Sequence, residues 1–274
     1  MRAIKRRKNI GIVLLPLAFL AWSGLFGPLH AADVGVSPTA VVLQIQPGQT
    51  LYGRLRVDCH TAKTTVNAYV GDWSWDELGR RRFVPAGTVK RSLCGWIELS
   101  PLTFSLNPGR IQALQYRITA PQDITGSYWG IIFLESISSP QGPETPDIGL
   151  VARPRLGIPV YATTSRGAVV DGQPIDTKAS WTPGKGLAAS VTFKNTGNTI
   201  VTLKGQFEIV SKSGAIIAAI PFGKDPLKVL PDGIRLISLA WNEPIKPGNY
   251  VLRAVVDFGG KTKKAGQRSF KVQG

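Results

Sequence analysis

The groups that could do chemistry in this chain are few. Histidine occurs at His30 and His60, and cysteine at Cys59 and Cys94. A serine or cysteine nucleophile needs a base positioned beside it, and the only histidine beyond the N-terminal stretch, His60, has Cys59 as its neighbour. A zinc site needs three or four spaced N, S or O ligands, and no such cluster is written here. Asp72, Asp76 and Glu77 stand close enough for paired-carboxylate hydrolysis or a calcium site. Arg80, Arg81 and Arg82 follow directly, so surface ion pairing is the better use of those acids. Gly184-Lys185 resembles part of a phosphate loop, but Gly186 stands where Ser or Thr is required and Ala179 where the first glycine belongs. The expectation is a chain without catalytic residues, metal or cofactor.

Surfaces remain as the carriers of function. Trp73 and Trp75 alternate in a strand and point the same way. With Arg80, Arg81 and Arg82 they could form a platform for an anionic envelope polymer, because flat rings stack on sugar faces. Such a pair is more often a lid over the edge of a sandwich.

The elements that must position these groups are strands. The stretch from Ser92 to Tyr116 reads strand, turn, strand: Cys94, Trp96 and Ile97 are apolar, Ser100-Pro101 breaks the run, and Asn107-Pro108-Gly109 turns into an alternating segment, Ile111 to Ile118. Gly126-Ser127-Tyr128 then opens a strong strand to Ile137. The pattern recurs. Pro231-Asp232-Gly233-Ile234-Arg235 echoes Pro108-Gly109-Arg110, and Gly248-Asn249-Tyr250 echoes Gly126-Ser127-Tyr128. No long helical period follows the N-terminal stretch. The fold expected is all-β, two immunoglobulin-like sandwiches in tandem, over residues 32–163 and 164–274, with a joint at Thr163 to Gly167.

Residues 1–31 read as a signal peptide rather than as part of the fold. Arg2, Lys5, Arg6, Arg7 and Lys8 precede an apolar core from Ile10 to Leu25, and Leu29-His30-Ala31 suits cleavage before Ala32. The alternative is an uncleaved anchor, against which stand Pro16, Gly24 and the short apolar run. Nothing later is apolar for long enough to span a bilayer, so a periplasmic or extracellular residence is expected. Removal of the five N-terminal cations lowers the formal charge from +16 to +11. Such a balance favours anionic partners. In an exported chain these are envelope polymers, lipid headgroups or acidic proteins rather than nucleic acid. In an oxidising compartment Cys59 and Cys94 either bridge or remain two buried thiols; a bridge would stabilise the fold by about 3–4 kcal/mol through loop closure.

Residues 138–147 carry three prolines among polar residues and read as a connection. A distinctive strand follows. Leu150, Ala152, Leu156, Ile158 and Val160 lie on one face, and Arg153, Arg155, Gly157 and Tyr161 on the other. Pro154 and Pro159 cannot donate to a ladder, which places the strand at a sheet edge or a bulge. An edge with an apolar face is a template for another chain; the same face could instead line the strand's own sandwich.

The succession VGVSPTAVVL, GWIELSPLTFSLNPGRIQALQYRI, GSYWGIIFLES, a prolyl connection and a last strand resembles the PapD-like periplasmic pilus chaperones. It also resembles related exported immunoglobulin-like proteins of bacterial surfaces, including the WxL-interacting type. The resemblance implies a non-catalytic protein that binds a secreted or surface subunit by edge-strand pairing, here through Leu150, Ala152, Arg153, Arg155, Leu156, Ile158 and Val160. It also implies two basic anchors for the subunit's carboxylate. The first-strand position reads Ser37-Pro38-Thr39-Ala40, without Arg or Lys. On the last strand the expected lysine position holds Ile158 or Pro159, and Arg153 and Arg155 are the nearest cations.

Overall fold

Apolar residues at every second position can bury one face of a strand and leave the other wet, so short alternating runs bounded by Pro, Gly and Asn build stacked sheets. The computed structural model describes residues 34–137 and 153–273. The expected signal peptide, the prolyl connection, Leu150 and Ala152 lie outside the described residues.

In the first sandwich the strands are β1 (Val34–Ser37), β2 (Val41–Gln44), β3 (Thr50–Cys59), β4 (Thr64–Trp75), β5 (Arg81–Val84), β6 (Ile97–Ser100), β7 (Thr103–Leu106), β8 (Ile111–Thr119), β9 (Gly126–Ile137) and β10 (Arg155–Thr164). One sheet has the order β1-β3-β8-β6, and the facing sheet β2-β10-β9-β4-β5 with β7 also paired to β4. Leu55, Val57, Leu114 and Ile118 of the first sheet pack against Val66, Ile132, Leu134, Ile158 and Val160 of the second, and all are buried. The chain changes sheets between Ser37 and Val41, so β1 pairs with β3 while β2 runs parallel to β10.

The second sandwich contains β11 (Gly172–Thr182), β12 (Gly186–Asn195), β13 (Val201–Ser211), β14 (Ile216–Val229), β15 (Ile234–Trp241), β16 (Gly248–Asp257) and β17 (Lys264–Val272). Its sheets are ordered β11-β12-β15 and β14-β13-β16-β17. Leu187, Val191 and Phe193 meet Phe207, Ile209, Leu252 and Val256 in its core. The repeated turn has one job in both halves. Pro108-Gly109 carries the chain from β7 to β8, and Pro231-Asp232-Gly233 from β14 to β15, in each case from one sheet to the other.

The segment Cys94–Trp96 differs from the strand expected. It is a 3-10 turn, because Ser92 Oγ accepts the Cys94 N–H at 3.0 Å and donates to Asp72 at 2.7 Å, curling the chain before β6. The sandwiches meet through backbone. Ser127 N–H donates to Asn198 O at 2.8 Å, Ile200 N–H to Ser127 Oγ at 3.1 Å, and Leu236 N–H to Glu77 O at 2.7 Å. Gly126 has φ of 68°, and a Cβ there would lie 2.3 Å from Asn198 O, so the glycine of the repeated motif is required at this junction.

Candidate functional site

β10 is only half an edge. It pairs antiparallel with β9 along its whole length, while β2 covers its other side only from Val160 to Thr163. Among the described residues, positions 155–159 have no second neighbour. Two bonds establish which groups point outward. Ser136 N–H donates to Pro154 O at 3.0 Å on the β9 side, and Ile45 N–H donates to Thr163 O at 3.0 Å on the β2 side. Antiparallel bonding alternates residue by residue, so even-numbered residues bond β9 and odd-numbered residues face away from it. Arg155 and Gly157 therefore turn both N–H and C=O to the open side. Pro159, with no N–H, ends the donor row where β2 begins.

The side chains divide by the same parity. Ile158 and Val160 point into the core of their own sandwich and are 1% and 0% exposed, with Leu156 partly buried beside them. Of the two uses of this apolar face, lining the strand's own sandwich is the one observed. What the strand presents to the outside is backbone, together with Arg155, which is exposed; Arg153 is exposed just before the strand.

The odd-numbered residues join an aromatic layer on the outer face of the sheet. Trp73, Trp129, Ile131, Phe133, Tyr161 and Leu230 are buried together there, with Tyr69 and Trp75 packed around them. Trp73 Nε1 donates to Gly130 O at 2.9 Å, and Trp129 Nε1 donates to Trp73 O at 2.8 Å, locking β4 to β9. Three cations lie on these rings. Arg155 stands 4.2 Å from the Phe133 centroid and 5.4 Å from that of Phe83, Arg81 4.7 Å from Trp73, and Lys228 5.1 Å from Tyr161. Arg155 Nη1 also donates to the Tyr69 hydroxyl at 3.2 Å. Burial pushes the Tyr161 hydroxyl above its ordinary range, with Arg81 pulling the other way. The near-continuous apolar run of β9 signalled burial on both faces; nothing in the sequence paired Lys228 with Tyr161.

The polymer platform is not assembled as expected. Trp73 is 0% exposed and offers no ring face to a sugar, and the partly buried Trp75 meets it edge-on at 4.8 Å, so the two do not form an open platform. Arg80 pairs with Asp76 at 2.7 Å and Arg82 lies 3.9 Å from the same carboxylate, while Arg81 turns onto Trp73. The Arg80 backbone N–H, with its side chain, holds the Asp76 carboxyl below its ordinary range. Asp72 departs from the surface ion pair expected. It is 0% exposed and accepts from Val89 N–H at 3.2 Å, Ser92 Oγ at 2.7 Å and Cys94 Sγ at 3.1 Å.

Cys59 and Cys94 form no disulfide. The register explains why. Ile97, just after the turn holding Cys94, lies opposite Ile118, which lies opposite Leu51 at the start of β3. Cys59 is at the other end of that strand, about 27 Å away at the usual rise per residue, whereas a bridge needs Cα atoms within about 7 Å. The Cys94 thiol is pushed up to about 11, chiefly by burial. Among the described residues no group of three or more His, Cys, Asp or Glu is placed to hold a metal, and no helix is long and apolar enough to cross a membrane.

Neither a protein-family model nor a curated protein matches the chain. Solved structures similar to it include pilus chaperones. One is the class 5 fimbriae chaperone CfaA, 11% identical over 87% of this chain and 99% of that one, with a TM-score of 0.46. A chaperone–tip adhesin complex of CFA/I fimbriae is 11% identical over 87% and 99%, at 0.48. The CsuC–CsuE chaperone–tip adhesion subunit pre-assembly complex of Acinetobacter baumannii is 11% identical over 87% and 98%, at 0.40. At these values the likeness assigns no partner to this chain.

Proposed function

We propose that this chain is a non-catalytic, exported, chaperone-like protein that holds secreted or surface subunits of the pilus type by adding a strand of the subunit to the open edge of β10. The observation that carries this reading is the outward row of N–H and C=O groups at Arg155 and Gly157, left bare because β2 begins only at Val160. Bare backbone groups at a sheet edge are satisfied by water or by another strand, and a strand supplies them in register. The open stretch is about 17 Å long at the usual strand rise, enough for a segment of about five residues. The resemblance of the strand order and turns to the PapD-like chaperones supports the same reading. The signal-like N-terminus supports a periplasmic or extracellular residence.

The test separates backbone from side chain. Tagged wild type, Arg155→Ala and Arg155→Pro are compared in capture of a subunit from the native envelope fraction. Arg155→Pro removes an N–H that bonds nothing in the sheet, so the fold should survive, checked by circular dichroism. Capture should be lost in the proline variant and reduced by no more than about threefold in the alanine variant. Wild-type capture by Arg155→Pro would sink the proposal.

A further inference from the structure

The end of the second sandwich farthest from the first carries both an exposed apolar pair and exposed lysines. Ile216 and Ile217, just after the β13–β14 turn, are 51% and 49% exposed. Alternation along a strand would bury one of two neighbours. Here a register shift between Ile209 and Val210 sets Ala218 opposite Ile209 and Ile216 opposite Val210, so Ile217 is the extra residue of a bulge and both side chains stay outside. The turn is held firmly: Ser211 N–H donates to Ala215 O at 2.9 Å, Gly214 N–H to Ser211 O at 3.0 Å, and Ala215 N–H to Ser211 Oγ at 3.2 Å.

Exposed lysines converge on the same end. Lys212 lies in the turn, Lys271 next to the end of β17, Lys246 before β16 and Lys185 in the β11–β12 turn, with Glu243 the acid among these loops. None of the four lysines has a carboxylate within 4.0 Å among the described residues. A groove of about 420 Å³ runs between Lys212 and Lys271 over Val251 and Ser269. The opposite end of the sandwich is occupied, with Asn198 and Leu230 packed on the first sandwich.

We infer that this tip docks on an anionic phospholipid bilayer, Ile216 and Ile217 entering the headgroup region and the lysines contacting lipid phosphates. Neither element suffices by itself: two half-exposed isoleucines anchor weakly, and scattered lysines attract any anion, but an apolar pair and several lysines presented at one end of a sandwich are complementary to the boundary between acyl chains and phosphates. The site is separate from the β10 edge, so each proposal stands or falls alone.

The processed protein is floated with vesicles of phosphatidylcholine alone and of equal parts phosphatidylcholine and phosphatidylglycerol. Wild type should float with the mixed vesicles only. Ile216→Ser with Ile217→Ser leaves the charge unchanged and should lower the bound fraction about tenfold. Lys212→Gln with Lys271→Gln should lower it about tenfold or more, and Lys261→Gln with Lys263→Gln, at the other end, by far less. Equal loss in the two lysine pairs would mean generic attraction and overturn the inference. Undiminished flotation of the isoleucine variant would do the same. So would a concentration-dependent dimer lost in that variant without vesicle binding, which would assign the pair to a second copy.

Discussion

The open sheet edges of the two sandwiches are dressed in opposite ways. In the second sandwich, β14 carries Pro221, Gly223, Lys224, Asp225 and Pro226 and two register shifts against β13, and β17 carries Lys264, Arg268 and Lys271. Prolines, bulges and lysines are how proteins prevent an edge from recruiting another strand. The open half of β10 has a single charge, at Arg155, a proline only at its last position, Pro159, and no bulge against β9. One edge is defended and the other is left available. The cations differ in kind as well: residues 34–137 hold eight arginines and two lysines, and residues 165–273 four arginines and twelve lysines. Arginine's planar fork stacks on rings and grips acceptors, as Arg81 and Arg155 do, whereas lysine's strongly hydrated charge keeps a surface wet. Arginine is thus concentrated in the first sandwich and lysine in the second.

The comparison can be broken most forcefully at Ile158. If the inner face of β10 belongs to the fold and only its edge to a partner, Ile158→Asp places a charge in the core and should destabilise the first sandwich by about 3–5 kcal/mol. Denaturant unfolding followed by tryptophan fluorescence measures this, and a variant as stable as wild type would return the side chain to the partner. A smaller effect should follow from stripping the guard on β14. Pro221→Val with Lys224→Val should change stability by no more than about 1 kcal/mol yet produce concentration-dependent oligomers in sedimentation velocity. Oligomers absent at every concentration would show that those residues guard nothing.

The smallest effect is a pH slope confined to the first sandwich. Cys94 has its folded pKa raised from 9.0 to about 11. The folded state keeps that proton when the unfolded chain has lost it, so the contribution is complete below pH 9 and disappears as pH rises through about 11. The denaturation midpoint of wild type should fall over that window relative to Cys94→Ala, and parallel midpoints would refute it. No such group lies in the second sandwich, since both cysteines belong to the first.

Much of the architecture was legible because strand signals are local. Alternation at Ile111 to Ile118 and the Pro-Gly turns require no knowledge of the partner strand, and both repeats fold as their pattern indicated. The site was legible only in part. Pro154 and Pro159 marked a strand whose second ladder is incomplete, although β2 lies beyond it, and parity along Leu156, Ile158 and Val160 could not say whether the apolar face looked into the strand's own sandwich or away from it. The tryptophan pair was visible as a pair and its packing over the sheet was the favoured use, but not the partners that bury Trp73, since these are β9, Arg81 and Leu230.

By itself the sequence determined the all-β class, the tandem repeat and the scarcity of histidine and cysteine, because these follow from residue type and spacing along the chain. Only the tertiary structure decided that Cys59 and the turn holding Cys94 lie toward opposite ends of the sheet β1-β3-β8-β6, that β2 closes half of β10, and that Ile216 and Ile217 both stay outside. Each of these depends on register, the offset between strands far apart in sequence, and a shift of one residue would exchange the buried and exposed sets.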